Sequence, residues 1–299
     1  MSSSVSEKNQ KTPEQRRRDN LRGAVWALGM VAGLGGVSIS IRAVKSDIAL
    51  EELLFFRAFI GLIAITIIMA PRGWRLLIPK RPGLQLVRNL FHVSAQYCVF
   101  FAVILIPLAE VTAIEFTVPL ITALLAAPLL KEKIGRHRWI GMIAGFIGVL
   151  FVVRPVFETV PPAMLIALFG AVLFSCNTIL VKVLSEVEDA GTMVFVMNVI
   201  QTLVLIGPAI YVWTTPEWHH VPWLLMLGLS GSCTHYCLSR AMAIADTSIV
   251  LPLDFLRLPF IAIIAYMVWG ETFSPWTAVG AAIIFGSSYY AIMRERRKG

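Results

Sequence analysis

A chain of 299 residues that is 57% apolar and only 15% charged cannot cover itself with a water-compatible surface, since soluble domains run at roughly 45–50% apolar and about 25% charged. This excludes a soluble enzyme, a nucleic-acid binder and a disulfide-stapled secreted domain. The formal charge of +8 has to be read by position, because in membrane proteins basic residues report orientation.

The first 22 residues are polar and carry Lys8, Lys11, Arg16, Arg17, Arg18 and Arg22. No small-residue cleavage site follows at signal-peptide spacing, so 1–22 reads as a solvated cytoplasmic tail. Apolar runs then recur at 23–44, 50–70, 84–106, 109–130, 136–154, 161–184, 191–213, 221–243, 247–269 and 274–293, and a basic tail closes the chain at 294–299. A crossing helix takes about 20 apolar residues. Lipid offers no partners for unpaired backbone groups, so helix is the economical reading of every run. The expectation is an all-α integral membrane protein of ten transmembrane helices.

With the tail placed in the cytoplasm, 21 of the 26 Lys and Arg residues fall on that side and three (Arg42, Lys45, Arg154) on the other. Arg57 and Arg257 lie inside spans. This asymmetry predicts a cell-membrane protein with both termini cytoplasmic and an even number of crossings.

The two halves repeat. A shift of 139 residues carries Tyr97-Cys98 onto Tyr236-Cys237, Ala102 onto Ala241, Glu115-Phe116 onto Asp254-Phe255, Glu132 onto Glu271 and Gly141 onto Gly280. With five spans per repeat, the second copy enters the membrane from the opposite side. The segment after Glu132 is basic (Lys133, Arg136, Arg138), whereas the one after Glu271 (Thr272, Phe273, Ser274) is not. Inverted repeats of this kind let two half-structures exchange conformations and open a central site to either side. A duplicated bundle without a transport role is the plainer alternative.

The series Pro119, Glu132, Gly141, echoed by Pro259, Glu271, Gly280, resembles the signature of the EamA-type domain. The chain after its tail resembles the ten-helix members of the drug/metabolite transporter superfamily, built from two inverted five-helix repeats, here 23–154 and 161–293. Pro259 departs by one residue from the repeat offset, which would carry Pro119 onto Leu258. The resemblance implies transport of small organic metabolites through a central cavity.

Ionisable groups inside spans are functional candidates, because charge in hydrocarbon costs at least about 2.5–3.5 kcal/mol. Glu115 lies about six residues, or on the order of 9 Å, into the fourth span at 1.5 Å per residue, and Asp254 is its mate in the ninth. Arg57 enters the second span from the side that Glu115 enters, to similar depth, and can reach it if the two helices adjoin. Arg257, three positions after Asp254, shares its helical face. These four groups are candidates for gating or charge pairing, and Glu115, Asp254 and Arg257 also for substrate binding; mutual neutralisation between helices is the equally weighted alternative. Gln96-Tyr97 and His235-Tyr236 are repeat mates on which a flat substrate could stack and hydrogen-bond; ordinary helix-to-helix bonding competes with that reading. Asn177 is a weaker substrate-binding candidate, and His92, Ser175, Asn198 and Gln201 read as interhelical glue. Cys98, Cys176, Cys233 and Cys237 suggest neither a disulfide framework nor a zinc site. No phosphate-cradling Gly-Lys-Ser/Thr loop is present, so the chain does not itself hydrolyse ATP.

The function these features predict is alternating-access transport of small metabolites with no cofactor. The leading reading is export, or proton-coupled exchange, of amino acids and related compounds. Uptake of a planar vitamin or nucleoside-like cofactor, of the riboflavin or S-adenosylmethionine type, is the alternative. An intramembrane enzyme would need a nucleophile and base at one depth, for which Ser175 with His235 is the one pair worth naming, and a non-transporting scaffold is a further class. The partners are a small-molecule substrate and the lipid bilayer, not nucleic acid, and a homodimer is left open.

Overall fold

The computed structural model describes residues 13–73, 77–118, 121–122, 124–125, 136–153, 161–185, 187–244, 257–272 and 274–296. Among these residues all regular structure is helical, and ten α-helices occur. They are α1 Pro13–Val44, α2 Leu50–Met69, α3 Pro82–Leu105, α4 Leu108–Glu115, α5 Arg136–Val153, α6 Pro162–Ser185, α7 Ala190–Tyr211, α8 Val221–Ile244, α9 Arg257–Trp269 and α10 Pro275–Arg296. Each overlaps one predicted span, although α1 begins ten residues before its span, and α4 and α9 run only over Leu108–Glu115 and Arg257–Trp269 against the spans predicted at 109–130 and 247–269. Five of them contain stretches long and apolar enough to cross a membrane: Leu21–Val44, Leu50–Met69, Pro82–Leu105, Pro162–Val181 and Ala190–Tyr211. Asp254, Pro119 and Glu132 lie outside the described residues.

Local sequence explains the helix ends. Pro82 opens α3 within the first turn, where its missing N–H has no intrahelical role. The Asp189 side chain accepts the Gly191 N–H at 2.8 Å and caps α7, satisfying one orphan donor. At the start of α2, Glu52 reaches back to the Ala49 N–H at 3.3 Å and also accepts the Thr214 N–H at 2.9 Å. A helix-starting carboxylate thereby ties α2 to the end of α7.

The most extensive packing joins α1 to α8, α5 to α10, α3 to α6 and α2 to α7. Exchanging the first five helices in order for the last five turns the α1–α8 pair into α6–α3 and maps α2–α7 and α5–α10 onto themselves. The main core runs through Leu53, Leu54, Val103, Leu108, Ile114, Leu227, Ile261 and Ile284. Outside it, large apolar side chains such as Ile63, Ile67, Leu203, Ile206, Ile210, Ile263 and Met267 stand exposed, a surface that needs hydrocarbon around it and not water.

Glycines set the closest approaches. A Cβ on Gly33 would meet Thr234 Oγ1 at 2.4 Å and the Ser230 carbonyl at 3.0 Å, so α1 lies directly against α8. A Cβ on Gly280 would come within 2.6 Å of the Gly148 carbonyl oxygen. The Gly280 anchor of the sequence pattern is therefore the crossing point of α5 and α10, where small residues let backbones touch.

The loops gather at two ends. At one, the turns after α1, α3, α7 and α9 meet: Arg42 pairs with Glu271, His220 with Asp47, and Glu52 with Thr214. At the other, the Arg81 N–H donates to Glu188 at 2.9 Å, linking the approach to α3 with the α6–α7 turn.

Candidate functional site

Polar side chains concentrate in a seam between α2, α3, α7 and α8. Along α3, Gln85, Arg88, Asn89, His92 and Gln96 are all buried. Their spacing of three and four places them on one face, a polar stripe about 16 Å long at 1.5 Å per residue. Asn198 and Gln201 of α7, Arg57 of α2 and Ser232 of α8 are buried with them.

Arg57 sits at the centre. Its Nη1 donates to Gln201 Oε1 at 3.3 Å, and its Nη2 lies 3.5 Å from His235 Nε2. Oriented by its hydrogen-bond network, the Gln96 amide accepts from the Arg57 guanidinium at 2.8–3.1 Å and donates to Gln201 Oε1 at 3.1 Å. Gln201 Nε2 donates in turn to His92 Nδ1. An amide nitrogen and a guanidinium only donate, so both imidazoles face this network as acceptors. The two rings stand 5.2 Å apart, edge to face. Gly231 makes room for the arginine, since a Cβ there would fall 2.8 Å from Arg57 Nε.

Arg88 occupies the same seam nearer the α3 N-terminus. It donates to Gln85 Oε1 and to the Met193 carbonyl, each at 3.2 Å, and approaches the Met197 sulfur at 3.8 Å, while its Nε has no partner. Gln85 Nε2 and Asn89 Oδ1 beside it are likewise buried without partners. Among the described residues, no carboxylate pairs with either Arg57 or Arg88; the ion pairs present are Arg42–Glu271, His219–Glu217, His220–Asp47 and Arg257–Glu115.

A second locus joins the two halves. Arg257 Nη1 donates to Glu115 Oε2 at 3.2 Å, and its guanidinium carbon stands 5.2 Å from the centre of the Phe116 ring. This corrects the expected Arg57–Glu115 pair: α4 packs on α9, so the arginine that reaches Glu115 is the one opening α9. Asp254 lies outside the described residues, and the proposed Asp254–Arg257 contact with it.

The other sequence candidates are dispersed. Tyr97 donates to Glu51 at 2.7 Å, and Tyr236 packs edge-on against Trp26 at 5.9 Å. Neither tyrosine joins its neighbour Gln96 or His235 in the seam. Asn177 on α6 is buried and its Oδ1 has no partner. The Ser175 hydroxyl donates to the Ala171 carbonyl at 2.8 Å, and no bond links it to His235 among the described residues. Arg88 was not among the sequence candidates; the polar stripe at positions 85, 88, 89, 92 and 96 is the signal that finds it.

Asp47, His219 and His220 bring ligand-type atoms within 4.8 Å of one another. However, His220 Nδ1 accepts the Glu217 N–H at 3.1 Å, so its proton is on Nε2 and is donated to Asp47, also at 3.1 Å. Both ring nitrogens of His220 are used, so this imidazole offers no lone pair to a metal.

The EamA-like transporter family model matches residues 21–154 and again 161–293. The chain belongs to that family. It is accordingly a multi-pass membrane transporter and not an enzyme. Relatives of this EamA-like transporter include an S-adenosylmethionine uptake transporter of Rickettsia bellii, 29% identical over 82% of this chain and 84% of the relative. Another, from Rickettsia felis and with the same name, is 26% identical over 93% of this chain and 94% of the relative. A riboflavin transporter of Vibrio cholerae is 28% identical over 64% and 65% of the two chains. A solved crystal structure, 18% identical, covers 92% of this chain and 98% of its own with a TM-score of 0.66, and this likeness concerns the fold alone.

Proposed function

We propose that this EamA-like transporter takes up a nucleoside-linked, cofactor-like metabolite of the S-adenosylmethionine type by alternating access. The observation that carries the reading is the likeness to S-adenosylmethionine uptake transporters over more than four-fifths of both chains. Amino-acid export, the leading expectation from sequence, has no comparable support. Riboflavin remains the second substrate to test because riboflavin transporters match as well, one of them at 26% identity over 81% of this chain and 87% of its own.

The architecture proposed for this work is ten crossing helices in two inverted repeats, 23–154 and 161–293, in the cytoplasmic membrane with both tails inside. The helix pairs that exchange under swapping of the halves and the lipid-compatible exposed surface support it. The seam around Arg57, Gln96, Gln201 and His235 is the proposed substrate contact, and Glu115–Arg257 the proposed gating pair.

Purified protein reconstituted in liposomes, with and without a pH gradient, is the test. Saturable uptake of labelled S-adenosylmethionine, competed weakly by riboflavin and amino acids, is the expected result. Amino-acid flux without S-adenosylmethionine uptake returns the reading to export, and riboflavin uptake alone returns it to the vitamin.

A further inference from the structure

We propose that Arg57 and Arg88 form a carboxylate-binding subsite that takes the amino-acid end of the transported molecule. The inference rests on the uptake reading and sharpens it, since riboflavin has no carboxylate to offer.

The argument begins with an internal contrast. Among the described residues, four arginines reach into this bundle between its helices. Arg42 and Arg257 do what helix-tying arginines do and pair with Glu271 and Glu115. Arg57 and Arg88 are more deeply buried, at 4% and 3% exposed, yet their partners are amides, a carbonyl, an imidazole and a thioether. A buried ion held without a counter-charge keeps an uncompensated desolvation penalty. An anion is the species that removes this cost, and a guanidinium fork matches a carboxylate in two parallel bonds.

Three further features favour the amino-acid end of a small molecule. Arg57 bonds Gln201, which in turn bonds His92, and His92 stands one turn from Arg88 on the same buried face of α3, so the two arginines line one polar seam. Asn89 Oδ1 and Gln85 Nε2, each fully buried and each without a partner, offer an acceptor for an ammonium and a donor for a carboxylate beside Arg88. The neutral amides of Gln96 and Gln201, now bonded to Arg57, can be displaced without stranding a charge.

The test compares S-adenosylmethionine with its decarboxylated analogue in liposomes containing the full chain. One charge-assisted contact corresponds to roughly 10- to 100-fold in affinity, so the wild type should prefer the carboxylate-bearing compound by that factor. Arg57→Gln and Arg88→Gln should each flatten the preference by slowing S-adenosylmethionine while leaving the decarboxylated analogue moving. Equal transport of the two compounds, or a preference that survives both substitutions, overturns the subsite. If neither compound moves, the uptake reading has failed, and the subsite is then decided by thermal stabilisation of the purified protein. L-Methionine should stabilise it more than L-methioninamide, an effect lost in Arg57→Gln; equal shifts, or none, overturn the subsite as well.

Discussion

Arg42, two residues before the end of α1, and Glu271, in the turn between α9 and α10, form an ion pair across 229 positions of sequence. Each member also closes a neighbouring helix. Arg42 Nη1 donates to the carbonyls of Ile104 and Ile106 at 3.2 and 3.3 Å, and Lys45 donates to Ile104 at 2.9 Å. These are carbonyls that the end of α3 leaves orphaned. Glu271 Oε2 accepts the Leu108 N–H at 3.3 Å, and a carboxylate at a helix start is favoured by the helix dipole. One pair thereby holds α1, α3, α4 and the α9–α10 turn together and closes this end of the bundle.

The first prediction follows from the burial of this pair, with side chains 10% and 15% exposed. Arg42→Gln or Glu271→Gln should each destabilise the folded protein by about 3 kcal/mol, because one charge is stranded in a poorly hydrated site. The double substitution should cost clearly less than the sum of the singles, as contacting residues couple. Thermal unfolding in detergent of the four proteins measures the coupling, and strict additivity would count against a latch.

The Glu115–Arg257 pair carries the second prediction. Its members come from different halves, so a relative movement of the halves must change their separation. Glu115→Gln and Arg257→Gln each remove a charge-assisted bond worth about 1.5–3 kcal/mol and should lower transport, with normal amounts of protein in the membrane. Exchanging the two charges, Glu115→Arg with Arg257→Glu, should recover part of the loss. Full transport by both single variants would sink the gating role.

Much of this arrangement was legible in the sequence because hydrophobic length and repetition are properties of the chain alone. Each of the ten apolar runs overlaps a helix among the described residues, and Gly280, one member of the pair that the offset aligned, lies at a backbone crossing with Gly148. Pairing was not legible. Depth along a helix placed Arg57 level with Glu115, but which helices adjoin is decided by three-dimensional packing, and α9 brings Arg257 there first. Arg88 was hidden for a similar reason: a basic residue near a predicted helix start looks like loop charge until the turn-by-turn stripe with Gln85, His92 and Gln96 is noticed. The tyrosines failed to converge because neighbours in sequence on a helix point about 100° apart, so Gln96 faces the seam while Tyr97 turns to Glu51.

A third prediction concerns pH at the end where the latch lies. The His220 ring N–H, and then Ser46, hold the Asp47 carboxyl below its usual value of 3.8. A carboxylate lowered in the folded state stabilises it above the unfolded pKa of about 3.9, and the contribution disappears as pH falls through the lower folded value. Asp47→Asn should therefore lower thermal stability slightly at neutral pH and make no difference once the pH is below the folded pKa. A difference between variant and wild type that persists once the pH is below the folded pKa would contradict the contact.

The fourth prediction separates two glycines on one helix. At Gly280 a methyl group would meet the Gly148 carbonyl oxygen at 2.6 Å and the Val152 nitrogen at 3.0 Å. Both are backbone atoms, which cannot swing aside as a side chain can. Gly280→Ala should push α10 from α5 and cost about 1–3 kcal/mol, the usual penalty of overpacking. Gly286, six residues further along α10, has nothing within 4 Å of such a methyl. There the substitution should be neutral or stabilise by about 0.5–1 kcal/mol, because alanine loses less conformational freedom in a helix than glycine does. Unfolding temperatures of the two variants in the same detergent should move apart, with Gly280→Ala the lower. Equal shifts would mean that the two backbones do not meet at Gly148, and the close α5–α10 crossing would have to be abandoned.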